Sequence, residues 1–149
     1  MRLVLTVGLP GSGKSTWLRG QGVEAISSDG VRALLSGDET NQSLNRLVFR
    51  TMRQMAKARM LAGAEVTYID STALTKWERR CWVRFAELND CEVEVVFFEV
   101  DEEECLRRNA GRARVVPEDV LRRMAARMER PSVDEGFLRI STISARPAR

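Results

Sequence analysis

The apolar positions along the chain switch repeatedly between two spacings. Leu3-Val4-Leu5-Thr6-Val7 is a short β-rich run that ends in a glycine-rich turn, and Lys14 to Arg19 reads as the start of a helix. Glu24 to Ser28 is a second short strand, followed by a brief helix over Asp29–Leu35. Gln42 to Ala62 is the longest helical stretch, stopped by Gly63. Glu65 to Ile69 is a third strand. Thr75 to Leu88 is helical, its apolar stripe being Trp77, Cys81, Phe85 and Leu88. Glu92 to Val100 is a strand rich in Val and Phe. Asp101 to Asn109 is a helix with an acidic first turn that suits its dipole. Pro117 takes a first helical position and that helix runs to about Met128, before a last strand over Phe137–Ile143.

Strands alternating with helices of this length predict an α/β fold: a mostly parallel five-stranded sheet flanked by helices. Nothing in the pattern repeats and no linker divides it, so residues 1–149 are expected to form one domain, with a frayed tail over Ala145–Arg149.

Composition narrows the chemistry. The chain has no histidine, which excludes histidine general bases, Ser-His-Asp triads and His-containing zinc motifs. Cys81, Cys91 and Cys105 form no CxxC pair and are expected to be free thiols. No apolar run is long enough for a membrane span, and Met1–Val7 is too short for a signal peptide, so a cytoplasmic location is expected. Lys14, Lys57 and Lys76 are the lysines, and all remaining basic residues are arginine. Biased codon usage and phosphate recognition by the planar guanidinium both account for that skew.

Gly8-Leu9-Pro10-Gly11-Ser12-Gly13-Lys14-Ser15-Thr16 is a complete Walker A pattern, placed between a predicted strand and a predicted helix. Its glycines let backbone N–H groups turn inward onto phosphate oxygens, and the helix N-terminus adds partial positive charge. Lys14 is expected to reach the terminal phosphates of ATP and the Ser15 hydroxyl to bind Mg²⁺.

Acceptors in open α/β sheets bind beyond the carboxyl ends of the strands. Asp29 stands at such an end, placed to take a proton from an acceptor hydroxyl, although a helix N-cap is the alternative use for an Asp there. Arg32, one helical turn on, would face the same cleft and hold an anionic group. Asp70 ends the third strand, where it serves the metal's water shell, braces the glycine-rich loop, or forms a turn. Arg107-Arg108-Asn109-Ala110-Gly111-Arg112-Ala113-Arg114 has the chemistry of a lid over about 107–116, and a solvated basic turn is its alternative. Arg46, Arg50, Arg53 and Lys57 share one face of the long helix, as a phosphodiester track or a solvated face. Trp17, Trp77 and Trp82 fall in helices and are expected in the core.

Taken together, these residues resemble the 5′-hydroxyl polynucleotide kinase module of phage and bacterial end-repair enzymes. The resemblance rests on Gly8–Trp17, Ser28-Asp29-Gly30-Val31-Arg32, Asp70-Ser71-Thr72, Glu78-Arg79-Arg80, Arg108-Asn109-Ala110-Gly111-Arg112 and Val116–Leu121. It implies a P-loop kinase fold with an Arg-rich lid. It also implies ATP and Mg²⁺ as cofactors and 5′-OH ends of DNA or RNA as partner and substrate, with no membrane and no obligate protein partner. On it, Lys14, Ser15 and the loop from Gly8 to Thr16 would hold the nucleotide. Asp29 would be the general base, Arg32 would grip the phosphate 3′ of the terminal nucleotide, and Arg112 with Arg108 would approach the transferring phosphoryl group. Ala73 departs from the family, which often has Asn there. A P-loop kinase acting on a small molecule, such as a sugar acid, antibiotic or nucleotide sugar, and a non-catalytic nucleotide-dependent binding module remain as alternatives.

Overall fold

The computed structural model describes residues 1–145. Five strands, β1 (Arg2–Val7), β2 (Ala25–Ser27), β3 (Val66–Asp70), β4 (Glu92–Glu99) and β5 (Arg139–Ser144), form one sheet in the order β2-β3-β1-β4-β5, with every pair parallel. Six helices join them: α1 (Lys14–Gly20), α2 (Ser28–Ser36), α3 (Asn45–Leu61), α4 (Lys76–Leu88), α5 (Glu102–Ala110) and α6 (Glu118–Arg127).

The near-continuous apolar runs of β1 and β4 follow from burial on both faces. Leu3, Leu5, Val7, Val93, Val95 and Phe97 pack with Val48, Met52, Ala56 and Met60 of α3 and with Trp82, Val83 and Ala86 of α4. The alternate residues Val4, Val96 and Phe98 pack with Trp17 of α1, Tyr68 and Ile143. A smaller cluster of Leu9, Leu74, Cys105 and Leu121 ties the glycine-rich loop to α5 and α6. Glu94, on the α1 side of the sheet, is held between Arg2 at 3.2 Å and Arg139 at 2.9 Å. Among the described residues no helix is long and apolar enough to cross a membrane.

Four expectations change. The α4 stripe of Trp77, Cys81, Phe85 and Leu88 is not the buried face: Trp77 is 82% and Leu88 77% exposed. The helix instead turns Arg79, Trp82, Val83 and Ala86 inward. The reason is Arg79, fully buried, whose Nε and Nη2 donate to Glu135 at 2.9 and 3.1 Å and whose Nη1 donates to the carbonyls of Ala73 and Leu74. A satisfied arginine is admissible in the core, so a polar position displaces an apolar one. The helix expected over 42–62 is broken into a 3₁₀ turn, Gln42–Leu44, and α3, because the Asn41 side chain accepts from Ser43 N and caps the turn separately. Pro117 is the residue before α6, with extended backbone. Of the three tryptophans only Trp82 is fully buried; Trp17 is partly buried against Tyr68 and Phe98. All three cysteines are free. The tail expected to fray runs into residues 146–149, which lie outside the described residues.

Candidate functional site

The carboxyl ends of β1, β2 and β3 converge on one cleft of about 1940 Å³. The loop after β1 forms its floor. Gly8 N donates to Thr72 O at 3.1 Å, which ties this loop to the end of β3. Gly13 caps α1 with φ 101°, and Gly11, at φ 81°, has no room for a side chain: an added Cβ would stand 2.6 Å from Cys105 O. Both demands are met by glycine alone. Lys14 is 9% exposed, and its Nζ donates to Gly8 O and Leu9 O, each at 2.8 Å. Burial pulls its pKa down to about 8, against the opposing pull of Asp70 and with help from the Arg112 cation. Ser12 Oγ is buried without a partner.

Ser15, the next residue, donates from Oγ to Asp70 Oδ2 at 2.9 Å, and Thr6 Oγ1 donates to Asp70 Oδ1 at 3.5 Å. A hydroxyl and a carboxylate side by side are hard oxygen donors of the kind Mg²⁺ takes. Together with the inward backbone, the buried Lys14 and the orphaned Ser12 hydroxyl, they fit a nucleoside triphosphate and its metal.

Asp29 lines the same cleft, in the first turn of α2. The cap of that helix is Ser27, whose Oγ accepts from Gly30 N at 3.2 Å, so Asp29 is not the N-cap. Its two oxygens are instead divided between Arg32 Nη1 at 3.0 Å and Arg114 Nη1 at 2.8 Å. Arg32 is 4% exposed. Its Nη2 donates to Asn45 Oδ1 at 2.7 Å, while its Nε is buried without a partner.

The segment between α5 and α6 lines the cleft from Arg112 to Pro117. Arg108 donates to Glu104 at 2.8 Å, and its Nη1 would stand 3.7 Å from a Cβ on Gly13. Glu104, hydrogen-bonded by Arg107 and Arg108, has its pKa drawn down to about 2. Arg112 lines the cleft with no carboxylate partner among the described residues. The base of the segment is fastened by Asn109, 3% exposed, which donates to Val116 O at 2.7 Å and accepts from Val116 N at 3.0 Å. Behind the P-loop, burial pushes the Cys105 thiol up to about 11.

The cleft therefore brings together Gly11–Thr16, Pro10, Asp29, Arg32, Asp70, Arg108 and Arg112, while Gly8 stands behind the loop against Phe98. Three further side chains had no role from the sequence. Arg114, named within the arginine run, clasps Asp29. Asn45 orients Arg32 from the start of α3, where no local pattern announces it. Asn109 was visible as the Asn of Arg108-Asn109-x-x-Arg112 but not as a fastener. Ala73, where the resembled family often has Asn, sits at φ 46°, a region in which Asn is enriched; here Arg79 holds its carbonyl.

Solved structures share this architecture. A sugar kinase from Janibacter sp. HTCC2649 is 22% identical with a TM-score of 0.66, covering 97% of this chain and 84% of that one. The Mycobacterium tuberculosis APS kinase CysC, in complex with AMPPNP and APS, is 18% identical with a TM-score of 0.60, covering 95% and 87%. A chain of the Pnkp1/Rnl/Hen1 complex is 21% identical with a TM-score of 0.62, covering 78% of this chain and 40% of that one. At these identities the likeness is one of fold, that of the P-loop kinases. The AAA domain family matches residues 3–131, the stretch from β1 past the end of α6, and this chain belongs to that family.

Proposed function

We propose that the protein is an ATP-dependent kinase that phosphorylates the 5′-hydroxyl ends of polynucleotides. The observation that carries the reading is a carboxylate in the cleft lining, flanked by a buried guanidinium with an unsatisfied Nε. That pair offers a proton acceptor and an anion site one helical turn apart, as a hydroxyl next to a phosphodiester requires.

Bound MgATP would supply the transferable phosphoryl group and a cation to spread its charge. The chain supplies the rest. The P-loop amides and Lys14 hold the phosphates, with Ser15 and Asp70 as the metal's side-chain neighbours. Arg32, pre-oriented by Asn45, holds the acceptor's phosphate, and that phosphate satisfies the Nε. Asp29 then accepts the proton of the attacking hydroxyl. For this Arg114 must release Asp29, and it becomes a second cation for the acceptor. Arg108 and Arg112 descend from a lid whose base is fixed by Asn109, and meet the charge on the moving phosphoryl group.

The test is label transfer from ATP to 5′-OH DNA and RNA oligonucleotides, run beside gluconate and a nucleoside phosphosulfate as small acceptors. Transfer to oligonucleotide ends supports the reading. Transfer to a small acceptor alone replaces it with the small-molecule alternative, and nucleotide-dependent capture of a partner without any phosphorylated product replaces it with a binding module. Asp29→Asn is expected to cut kcat by roughly 10²–10⁴-fold with ATP binding retained.

A further inference from the structure

We infer that the outer surface of α3 and α4 is a binding track for single-stranded nucleic acid, leading away from the cleft. The inference rests on the acceptor being a polynucleotide and adds where the rest of that strand lies.

The charges of this surface differ from those on α5 and α6. Every arginine of α5 and α6 sits in an ion pair: Arg107, Arg108, Arg122, Arg123 and Arg127. Helix α3 contains no acidic residue at all. Among the described residues, Arg46, Arg50, Arg53 and Lys57 of α3 and Arg84 of α4 meet no carboxylate within ion-pair distance. A solvated helix face is normally laced with both signs, because self-repulsion otherwise weakens the helix. An unneutralised stripe of about 16 Å is instead complementary to a polyanion.

Placement supports the same conclusion. Arg53 lies beside Cys81, and Lys57 hydrogen-bonds Asn89 just past the end of α4, so the two helices run in the same direction with the stripe between them. Their N-terminal halves reach the cleft: Asn45 and Phe49 of α3 and Glu78 and Trp82 of α4 line it. The stripe thus begins beside the Arg32 site and runs outward. Trp77 stands on the same α4 ridge as Cys81, one turn nearer the cleft, and is 82% exposed. An exposed indole on the same helical surface as unpaired guanidiniums can stack a base while the backbone is held.

The measurement is fluorescence anisotropy of a labelled single-stranded 5′-OH oligonucleotide of about a dozen nucleotides. For four neutralised phosphates, wild-type affinity falls roughly 50-fold between about 50 and 200 mM salt. Arg46→Gln/Arg50→Gln/Lys57→Gln is expected to bind at least tenfold more weakly at the lower salt, and to lose only about threefold between the two. Trp77→Ala loses about fivefold or more, and Trp77→Phe restores most of it. ATP binding and thermal melting of these exposed variants stay at wild-type values.

Binding by the triple variant equal to wild type overturns the track, as does a wild type that does not bind the oligonucleotide. Kinase assays on a 5′-OH dinucleotide separate the two proposals. A triple variant that phosphorylates the dinucleotide normally but shows a raised KM for the longer strand supports both. Oligonucleotide phosphorylation unaffected by the triple change leaves the acceptor assignment standing and removes the track. Stripe-dependent binding without phosphorylation of any 5′-OH end removes the acceptor assignment and leaves the track.

Discussion

Nucleotide binding to this P-loop is expected to take up a proton, through Lys14. In the free protein the ammonium is buried, caps two carbonyls and has its pKa lowered to about 8. Triphosphate oxygens favour the charged form and return the group toward its usual range near 10.5. At pH 7 roughly nine-tenths of free molecules carry the charge, and at pH 9 roughly one-tenth. Affinity for MgATP therefore falls about tenfold from pH 7 to pH 9, and binding at pH 9 takes up about 0.9 proton. Isothermal titration calorimetry checks this directly, since at pH 9 the heat varies with the buffer's ionisation enthalpy and at pH 7 it hardly does. The free protein should show the opposite slope. Because the folded pKa lies below the unfolded one, the unfolded chain binds more protons above pH 8, and Lys14 makes folding more favourable by up to about 1.4 kcal/mol per pH unit there. The window for seeing this is pH 8–9. From pH 9 upward the thiols of Cys81, Cys91 and Cys105, whose folded pKa values are raised by burial, act in the other direction. Affinity that does not change between pH 7 and pH 9, with no buffer-dependent heat, would refute a half-neutral Lys14.

Three shorter predictions follow from other parts of the site. Arg79→Met leaves Glu135 and the carbonyls of Ala73 and Leu74 without their donor in a buried place, and should lower unfolding free energy by about 3–5 kcal/mol in urea titration, whereas surface Arg123→Met should change it by less than about 0.5. Asn109→Ala removes both bonds to Val116, so hydrogen exchange over 110–116 should quicken and kcat should fall with little change in the global melting temperature. Ser15→Ala should weaken nucleotide binding far more with Mg²⁺ present than with EDTA, a comparison that isolates the hydroxyl's contribution to the metal.

The local chemistry of this protein is written in adjacent residues. The loop after β1 has glycine at positions 11 and 13, a buried lysine at 14 and a hydroxyl at 15, and these lie close together in the chain, so pattern alone locates this loop. The inner strands β1 and β4 were equally plain, because a strand buried on both faces can hold little but apolar residues. Two kinds of feature were decided only by tertiary structure. One is rotation about a helix axis: Trp77 and Leu88 continue an apolar stripe in sequence, but Arg79 finds Glu135 fifty-six residues away and turns the opposite face of α4 inward. The other is pairing across the cleft, where Arg114 reaches Asp29 and Asn45 reaches Arg32. Such contacts depend on distances that close only after the sheet has assembled, and no spacing along the chain encodes them.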